Sequence, residues 1–437
     1  MKYTKIAVDP KMVIGECRNI LGINNSPQIN HTFHTERRIE LFRELGPRYV
    51  RHHDSTLENP GFELIDVSRI FPLFHLDAND PKNYDFKATD DYLKLIPEDA
   101  TIEFRLGETI EHSENHYKVN PPTDYEKWAD VCVNIIRHYT EGWADGFHFN
   151  IKYLSIYEEP NDGFDKIFAG PYDEYLKLFV VAQKKLKKAF PNMKVGGPAT
   201  GYMYDSQACE RFLDYTCKNG LKPDFISGDV YSRELDFMPG KIKEIEGMLK
   251  KYGCGQSEIF IAEWHLGPIQ WRPFNNGGFF DATNAAFSAS TLIRLMDTKI
   301  TAAFYYAWSL GNWGCIHIND EGITEPYPVY YGLKFFTEIA ENTKRVKAES
   351  GEKCDAVDFL AGTDENGNAY LLLSCYECEA SIFEITVPGY KTAKMKCVSN
   401  DELNSPDEWI DVAGTDSNFS VSLKEKGSAV FLLEFSK

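Results

Sequence analysis

The chain has 437 residues, more than a single small sandwich needs and enough for one large barrel plus a smaller domain. Its formal net charge of −19 argues against nucleic acid and against an anionic membrane surface as partners, because both reward Lys and Arg. Aromatic residues make up 14%, a surplus that fills cores first and also suits a cleft in which sugar faces stack on rings. Met1-Lys2-Tyr3 leads into Ile6-Ala7-Val8 without an apolar signal-peptide core, and no window is apolar for long enough to span a bilayer. The ten cysteines are scattered, with only Cys375 and Cys378 at C-x-x-C spacing and no second pair nearby. Free buried thiols in a reducing cytoplasm are therefore expected, and the composition leaves a homo-oligomer open.

In chain order, residues 5–8 form an isolated strand-like piece. Residues 22–25 end an apolar segment in polar side chains, and 35–45 are helical, with Ile39, Phe42 and Leu45 on one stripe and Gly46 as a stop. Strand character resumes at 49–54 and ends in Arg51-His52-His53-Asp54. Residues 70–72 and 87–95 read as excursions from a barrel. A strand over 101–106 follows, ending near Arg105 and Glu108. Thr123 and Glu126 match a capping box before a helix whose Tyr125, Trp128, Cys132, Ile135 and Tyr139 share a face. Further strands are predicted at 153–157, 194–199, 225–231, 259–262 and 301–307, and further helices at 172–189, 242–252 and 285–296. This alternation gives about eight β units, the number a closed (β/α)8 TIM barrel requires.

From about residue 349 the texture changes to short alternating strands at 356–360, 369–375, 381–387, 394–398, 419–423 and 429–435, separated by turns such as Asn366-Gly367-Asn368. The expected fold is thus α/β: a (β/α)8 TIM barrel over residues 16–345 with an accessory antiparallel β-sandwich over 346–437. The strand in residues 1–15 joins the sandwich, because a closed barrel offers it no edge.

The stretch with most chemical content is Tyr153–Gly163, Y-L-S-I-Y-E-E-P-N-D-G. A buried strand stops in Glu158 and Glu159, and Pro160 forces a turn. Residues 259–265 repeat the design: Ile259-Phe260-Ile261-Ala262, then Glu263-Trp264-His265. These glutamates fall after the fourth and seventh strands, on the C-terminal lip where α/β barrels carry their chemistry. Two carboxylates facing one bond suit glycoside hydrolysis, one protonated to release the leaving oxygen and one ionised to attack the anomeric carbon. A salt-bridged buried glutamate is the bland alternative at either position.

Tyr157-Glu158-Glu159-Pro160-Asn161 resembles the W-N-E-P-[ND] segment of clan A glycoside hydrolases, in which the Glu before Pro is the general acid/base. Ile261-Ala262-Glu263-Trp264 resembles the T-E-W segment that carries their nucleophile. Arg51-His52-His53-Asp54, Phe104-Arg105-Leu106-Gly107, Arg137-His138-Tyr139, Gly142-Trp143 and Val195-Gly196-Gly197-Pro198-Ala199 are similar to glycoside hydrolase family 39, the β-xylosidase and α-L-iduronidase group. The likeness runs over roughly residues 20–340. It implies a retaining, exo-acting, β-xylosidase-like hydrolase of O-glycosidic bonds in small saccharides or glycoconjugates, with Glu159 as acid/base, Glu263 as nucleophile and no cofactor.

Two positions depart from that family's pattern. Its Asn before the acid/base, which contacts the sugar 2-hydroxyl, is Glu158 here, and a His expected in the sixth strand is Asp229, with Tyr231 following. An ionised carboxylate cannot donate a hydrogen bond. These acids therefore point to an amino-bearing or unusual sugar, or a bound cation; the alternative is a catalytically impaired carbohydrate-binding protein on a glycosidase barrel.

Supporting residues are Arg51, expected to pair with Glu263, and His53 on the same strand face. His52 and Asp54 point oppositely by the two-residue period, which argues against a His52-His53-Asp54 metal site and a metal-assisted hydrolase. Trp308, Asn312 and Trp313 follow the eighth strand as candidates for sugar contact, with a core indole the competing reading. Glu108, Glu111 and His265 lie near strand tips.

Overall fold

The structure, a computed structural model, describes residues 1–28, 35–55, 63–111, 114–161, 167–271, 273–309, 311–351, 354–401 and 403–437. Asp162 and Gly163 of the acidic stretch lie outside the described residues.

Eight parallel strands close into a barrel: β2 (Leu21–Asn24), β3 (Tyr49–His52), β4 (Thr101–Leu106), β5 (Ile151–Ile156), β6 (Lys194–Thr200), β7 (Phe225–Ser232), β8 (Glu258–Leu266) and β9 (Ile300–Tyr305). β2 pairs with both β3 and β9, which closes the ring. Nearly every strand residue is buried, as expected where helices cover the outside and side chains fill the inside. The bottom of the barrel is filled by Tyr153, Phe225, Phe260 and Phe304, with ring centroids 4.7 Å apart for Phe225–Phe260 and 4.8 Å for Tyr153–Phe260. Gly196 makes room for this plug, since a Cβ there would collide with the Phe225 ring and carbonyl. Above it comes a polar layer that includes Asn24, Arg51, Glu103 and Ser155, all buried. The strand tips, with both glutamate segments, sit on top of that layer.

The helix Tyr125–Glu141 packs Trp128, Cys132, Ile135 and Tyr139 inward, and Gly142 ends it in the left-handed conformation (φ 74°). Its cap is Asp124, whose side chain accepts from Lys127 N at 3.0 Å, so the predicted Thr123 capping box is displaced by one residue. Asp there supplies the acceptor and also complements the helix dipole. Two of the longer helices escape the sequence reading, as do the short ones at Val67–Ile70, Lys87–Leu93 and Gly201–Tyr204. Ser206–Lys218 is capped by Asp205, and Pro328–Asn342 opens with proline at its first position.

β1 (Lys2–Glu16) leaves the barrel and pairs parallel with Ser381–Thr386 and antiparallel with Lys344–Ser350. With the C-terminal strands it forms one continuous, mostly antiparallel ten-stranded sheet. The sheet folds over a core containing Ile6, Phe383, Ile385, Phe431 and Leu433, and Phe419 meets Phe435 across it at 5.2 Å. This is the β-sandwich. The barrel helix Ala282–Leu295 lies against it, with Ser290 Oγ donating to Ser374 Oγ at 2.9 Å and Arg294 paired with Asp358 at 2.9 Å. Among the described residues no helix is long and apolar enough to cross a membrane.

Candidate active site

β5 ends at Ile156, and the next three residues turn sharply. Tyr157 and Glu159 adopt φ of 59° and 36°, in the left-handed region that costs a non-glycine residue on the order of 1–3 kcal/mol. Neighbouring strands hold the turn: Tyr157 N donates to Leu106 O (2.8 Å) and Glu159 N to Ala199 O (3.0 Å). The conformation sends Glu158 and Glu159 to different partners although they are adjacent in sequence.

Glu158 turns inward to Arg51, in direct contact with its Nη2. Arg51 is wholly buried and serves three carboxyl groups: Glu158, Glu103 (Nε–Oε1 3.4 Å) and Glu263 (Nη1–Oε1 3.7 Å). Asn24 fixes the guanidinium by accepting from Nη1 at 2.9 Å, and donates its own amide to the Ala262 and Phe304 carbonyls at 2.8 and 3.1 Å. Glu103 lies deepest, and burial pushes its carboxyl above the usual range.

Glu263 sits on β8 with both oxygens engaged. His53 Nε2 lies 2.7 Å from Oε1, and Tyr231 Oη donates to Oε2 at 2.5 Å. Burial alone would raise its pKa; His53, Arg51 and the Tyr231 hydroxyl outweigh it and hold the carboxyl below its ordinary value. His53 is itself lowered to about 4, by burial first and then by Arg51. The imidazole is therefore neutral near pH 7 and stabilises Glu263 as an N–H donor rather than as a cation.

Glu159 lies over Gly201, where a Cβ would strike its Oε1. Its other close neighbour is Asp229, which pairs in strand register with Glu263 on the adjacent β8. Asp229 is 1% exposed, and its pKa is raised well above the ordinary value by burial, then by the charges of Glu263 and Glu159, and further by a hydrogen bond to Glu159. Two facing carboxyls can bond only through a shared proton. Asp229 thus stands between the two predicted catalytic glutamates, interacting with both.

Arg51, His53, Glu158, Glu159, Asp229, Tyr231 and Glu263 converge at one mouth of the barrel. Three other candidates do not join them. Trp308 is fully buried edge-to-face on Phe42 (4.9 Å), a core indole. His265 is buried behind the cleft, its Nδ1 donating to Leu266 O (2.7 Å) and its Nε2 facing Asn284 (3.3 Å), with burial lowering its pKa to about 3. His265 is still paired with Tyr231 in the barrel ladder, but its ring props the Trp313 ring (5.0 Å) from behind instead of following Glu263 inward. Asn312 is exposed on the short helical turn Gly311–Trp313. Glu108 accepts from Ser68 N and Oγ (3.1 and 2.5 Å), and Glu111 from the backbone of Tyr117 and Lys118, so both organise loops.

Tyr306 and Trp271 were not anticipated, whereas Trp313 takes its expected place at the cleft. Tyr306 donates to Asp54 Oδ2 (3.2 Å), its ring 5.9 Å from His53 and 6.3 Å from Tyr231. The doublet Tyr305-Tyr306 held the signal, since alternation turns one ring to Trp264 and the other to the mouth. An aromatic wall also climbs from Tyr231 through Trp313 (5.4 Å) to Trp271, which is 55% exposed and stacks on Trp313 at 6.3 Å and 27°. Finally, the ligand atoms of His53, Glu158 and Glu263 lie within 4.8 Å of one another, a different trio from His52, His53 and Asp54. His52 faces away, against Ser26 (3.2 Å) and the Tyr92 ring.

A closed parallel barrel with glutamates on the tips of its fourth and seventh strands is the architecture of the clan A glycoside hydrolases. Residues 10–269 match the sequence pattern of Glycosyl hydrolases family 39, and the chain belongs to that family. It is 27% identical over 278 residues to a β-xylosidase of Caldicellulosiruptor saccharolyticus, covering 57% of this chain and 54% of that one. It is also 27% identical over 286 residues to a β-xylosidase of Geobacillus stearothermophilus, covering 58% and 53%. The chain spans about half the length of these two relatives. In fold it is similar over its full length to a glucosidase from Croceicoccus marinus (TM-score 0.80, 20% identity, 100% of this chain and 99% of that one). It is likewise similar to a family 39 β-xylosidase from Caulobacter crescentus (TM-score 0.71, 18% identity, 99% and 100%).

Proposed function

We propose that this chain is a retaining, exo-acting, β-xylosidase-like glycosidase that cleaves O-glycosidic bonds of small saccharides or glycoconjugates by double displacement. The observation that carries the reading is the unequal treatment of two strand-tip carboxyls. Glu263 is held ionised by His53, Tyr231 and Arg51, whereas Glu159 faces the proton-retaining Asp229. A carboxylate held ionised opposite a carboxyl pair that keeps a proton is what acid-assisted nucleophilic attack requires.

In the first step Glu263 forms a bond to the anomeric carbon as the glycosidic C–O bond breaks, and Glu159 delivers its proton to the departing oxygen. In the second, Glu159, now a carboxylate, takes a proton from water, whose oxygen attacks the same carbon and releases Glu263. Each step inverts the centre, so the net outcome is retention. Tyr306, Tyr231, Trp313 and Trp271 supply ring faces along the cleft for the sugar and the group beyond it. The ten cysteines are all unbridged, which supports a reducing, cytoplasmic setting and small, imported substrates.

The test is covalent trapping with a fluorinated aryl glycoside followed by peptide mass spectrometry. A single sugar adduct on Glu263 is expected. An adduct elsewhere, or hydrolysis that inverts the anomeric centre, would remove double displacement by this pair.

A further inference from the structure

The glycosidase reading leaves Glu158 unexplained. It is 2% exposed, touches Arg51 through Oε2, and has no hydrogen-bond partner at Oε1 among the described residues. It also lies within 4.8 Å of Glu263 and His53, on the floor where a sugar would rest.

The charges around it do not balance. Among the described residues Arg51 is the one guanidinium facing Glu103, Glu158 and Glu263, while Arg105 is committed to Asp66. His53 is neutral near pH 7, and burial favours the protonated forms of Glu103 and Asp229. That leaves the Glu158 and Glu263 carboxylates against a single fixed positive charge. Two buried carboxylates sharing one guanidinium, one of them with a spare oxygen, are costly unless a ligand supplies the second positive charge.

The position of Glu158 says where on the ligand that charge belongs. If Glu263 attacks the anomeric carbon and Glu159 takes the glycosidic oxygen, a carboxylate beside Glu263 is left with the ring oxygen or the substituent of C2. The ring oxygen has lone pairs and no proton, so it offers a carboxylate nothing. The C2 substituent is what Glu158 faces. A hydroxyl there gives one donor and no charge, whereas an ammonium gives three donors and the missing positive charge. A metal ion fits less well, because the 2.7 Å contact from His53 Nε2 to Glu263 has hydrogen-bond length and places a proton where a metal would need the lone pair.

We infer that the sugar site recognises a 2-amino-2-deoxy glycoside, with Glu158 receiving the protonated C2 amine. This rests on the glycosidase reading for the placement of C1, and it is tested by binding as well as by turnover. Calorimetric titration of the full chain at pH 6 with glucosamine, glucose and N-acetylglucosamine should give glucosamine at least tenfold the tighter ligand. Glu158→Gln, which keeps shape and removes charge, should erase that preference, and Glu158→Asn should shift kcat/KM on paired aryl glycosides from the 2-amino toward the 2-hydroxy substrate by at least tenfold. Equal or weaker binding of glucosamine by the parent chain would overturn the inference, without any variant having to fold. Binding of calcium or magnesium ions alone, abolished by Glu158→Gln, would overturn it in favour of a cation site. Adduct formation on Glu263 with no amine preference sinks this inference and leaves the glycosidase reading intact; amine-selective binding without adduct or turnover does the reverse.

Discussion

Tyr231 Oη and Glu263 Oε2 are 2.5 Å apart, and this hydrogen bond ties the sixth barrel strand to the seventh at the point where the nucleophile is expected. It has consequences for both protonation and position. A bond to an ionised carboxylate contributes about 1.5–3 kcal/mol. Tyr231→Phe should therefore lower kcat about tenfold to a hundredfold. Because the hydroxyl helps hold the Glu263 pKa down, the acid limb of the kcat/KM profile should move to higher pH. Steady-state kinetics across pH 4–8 on an activated aryl glycoside check both; an unshifted acid limb would mean the contact is only structural.

Asp229 and Glu159 act as one titrating unit. Burial and the neighbouring carboxylates raise Asp229, so the pair keeps a proton to higher pH than an isolated carboxyl does. Asp229→Asn removes the second acid and leaves an amide that favours the ionised form of its partner. The alkaline limb of kcat/KM should then move to lower pH, while activity well below it changes little. A profile that only scales, with both limbs in place, would show that Asp229 does not share the proton.

Much of this arrangement was legible in the chain because it follows from period and punctuation. Most barrel strands are short, apolar and followed closely by a polar residue or glycine, and the two strand-tip glutamates are marked by Pro160 and Trp264. The alternation that separated His53 from His52 also holds. What escaped detection depends on contacts between distant segments. Nothing local distinguishes Glu103 from a surface glutamate; its burial follows from Arg51 on the neighbouring strand. His265 shares the parity of Glu263 and stays paired with Tyr231, yet its ring packs against Phe279, Tyr305 and Trp313, so period alone places it wrongly. Trp308 and Tyr306 exchange roles for a related reason: the chain turns after β9, sending the indole to Phe42 and the phenol to Asp54. The helix Ser206–Lys218 was passed over because its buried stripe of Ala208, Cys209, Phe212, Leu213 and Thr216 is built from small and polar residues as much as from large apolar ones.

The exposed Trp271 ring extends the aromatic wall, edge-on to Tyr231 and stacked on Trp313. Its stacking should serve the group beyond the scissile bond, not the sugar at the bottom of the cleft. An offset aromatic contact adds about 0.5–1.5 kcal/mol beyond burial. Trp271→Ala should thus raise KM roughly threefold to tenfold for disaccharides and aryl glycosides, with kcat nearly unchanged. Inhibition by a free monosaccharide should be unaffected, and that comparison separates a leaving-group platform from general damage to the mouth.

Glu108 provides a test of stability apart from catalysis. Burial first and then the charge of Asp66 raise its carboxyl to about 8, against two hydrogen bonds from Ser68. The folded state therefore binds a proton that the unfolded chain has released once pH exceeds the ordinary carboxyl value. Its contribution to stability is full below that value and is lost as pH rises toward about 8. The slope is on the order of 1 kcal/mol per pH unit at most. Glu108→Gln keeps the shape, can still donate one hydrogen bond, and cannot ionise. The Tm of the parent chain minus that of Glu108→Gln should decline steadily from pH 5 to pH 8 by differential scanning calorimetry. Parallel curves would show that Glu108 releases its proton as an ordinary exposed glutamate does.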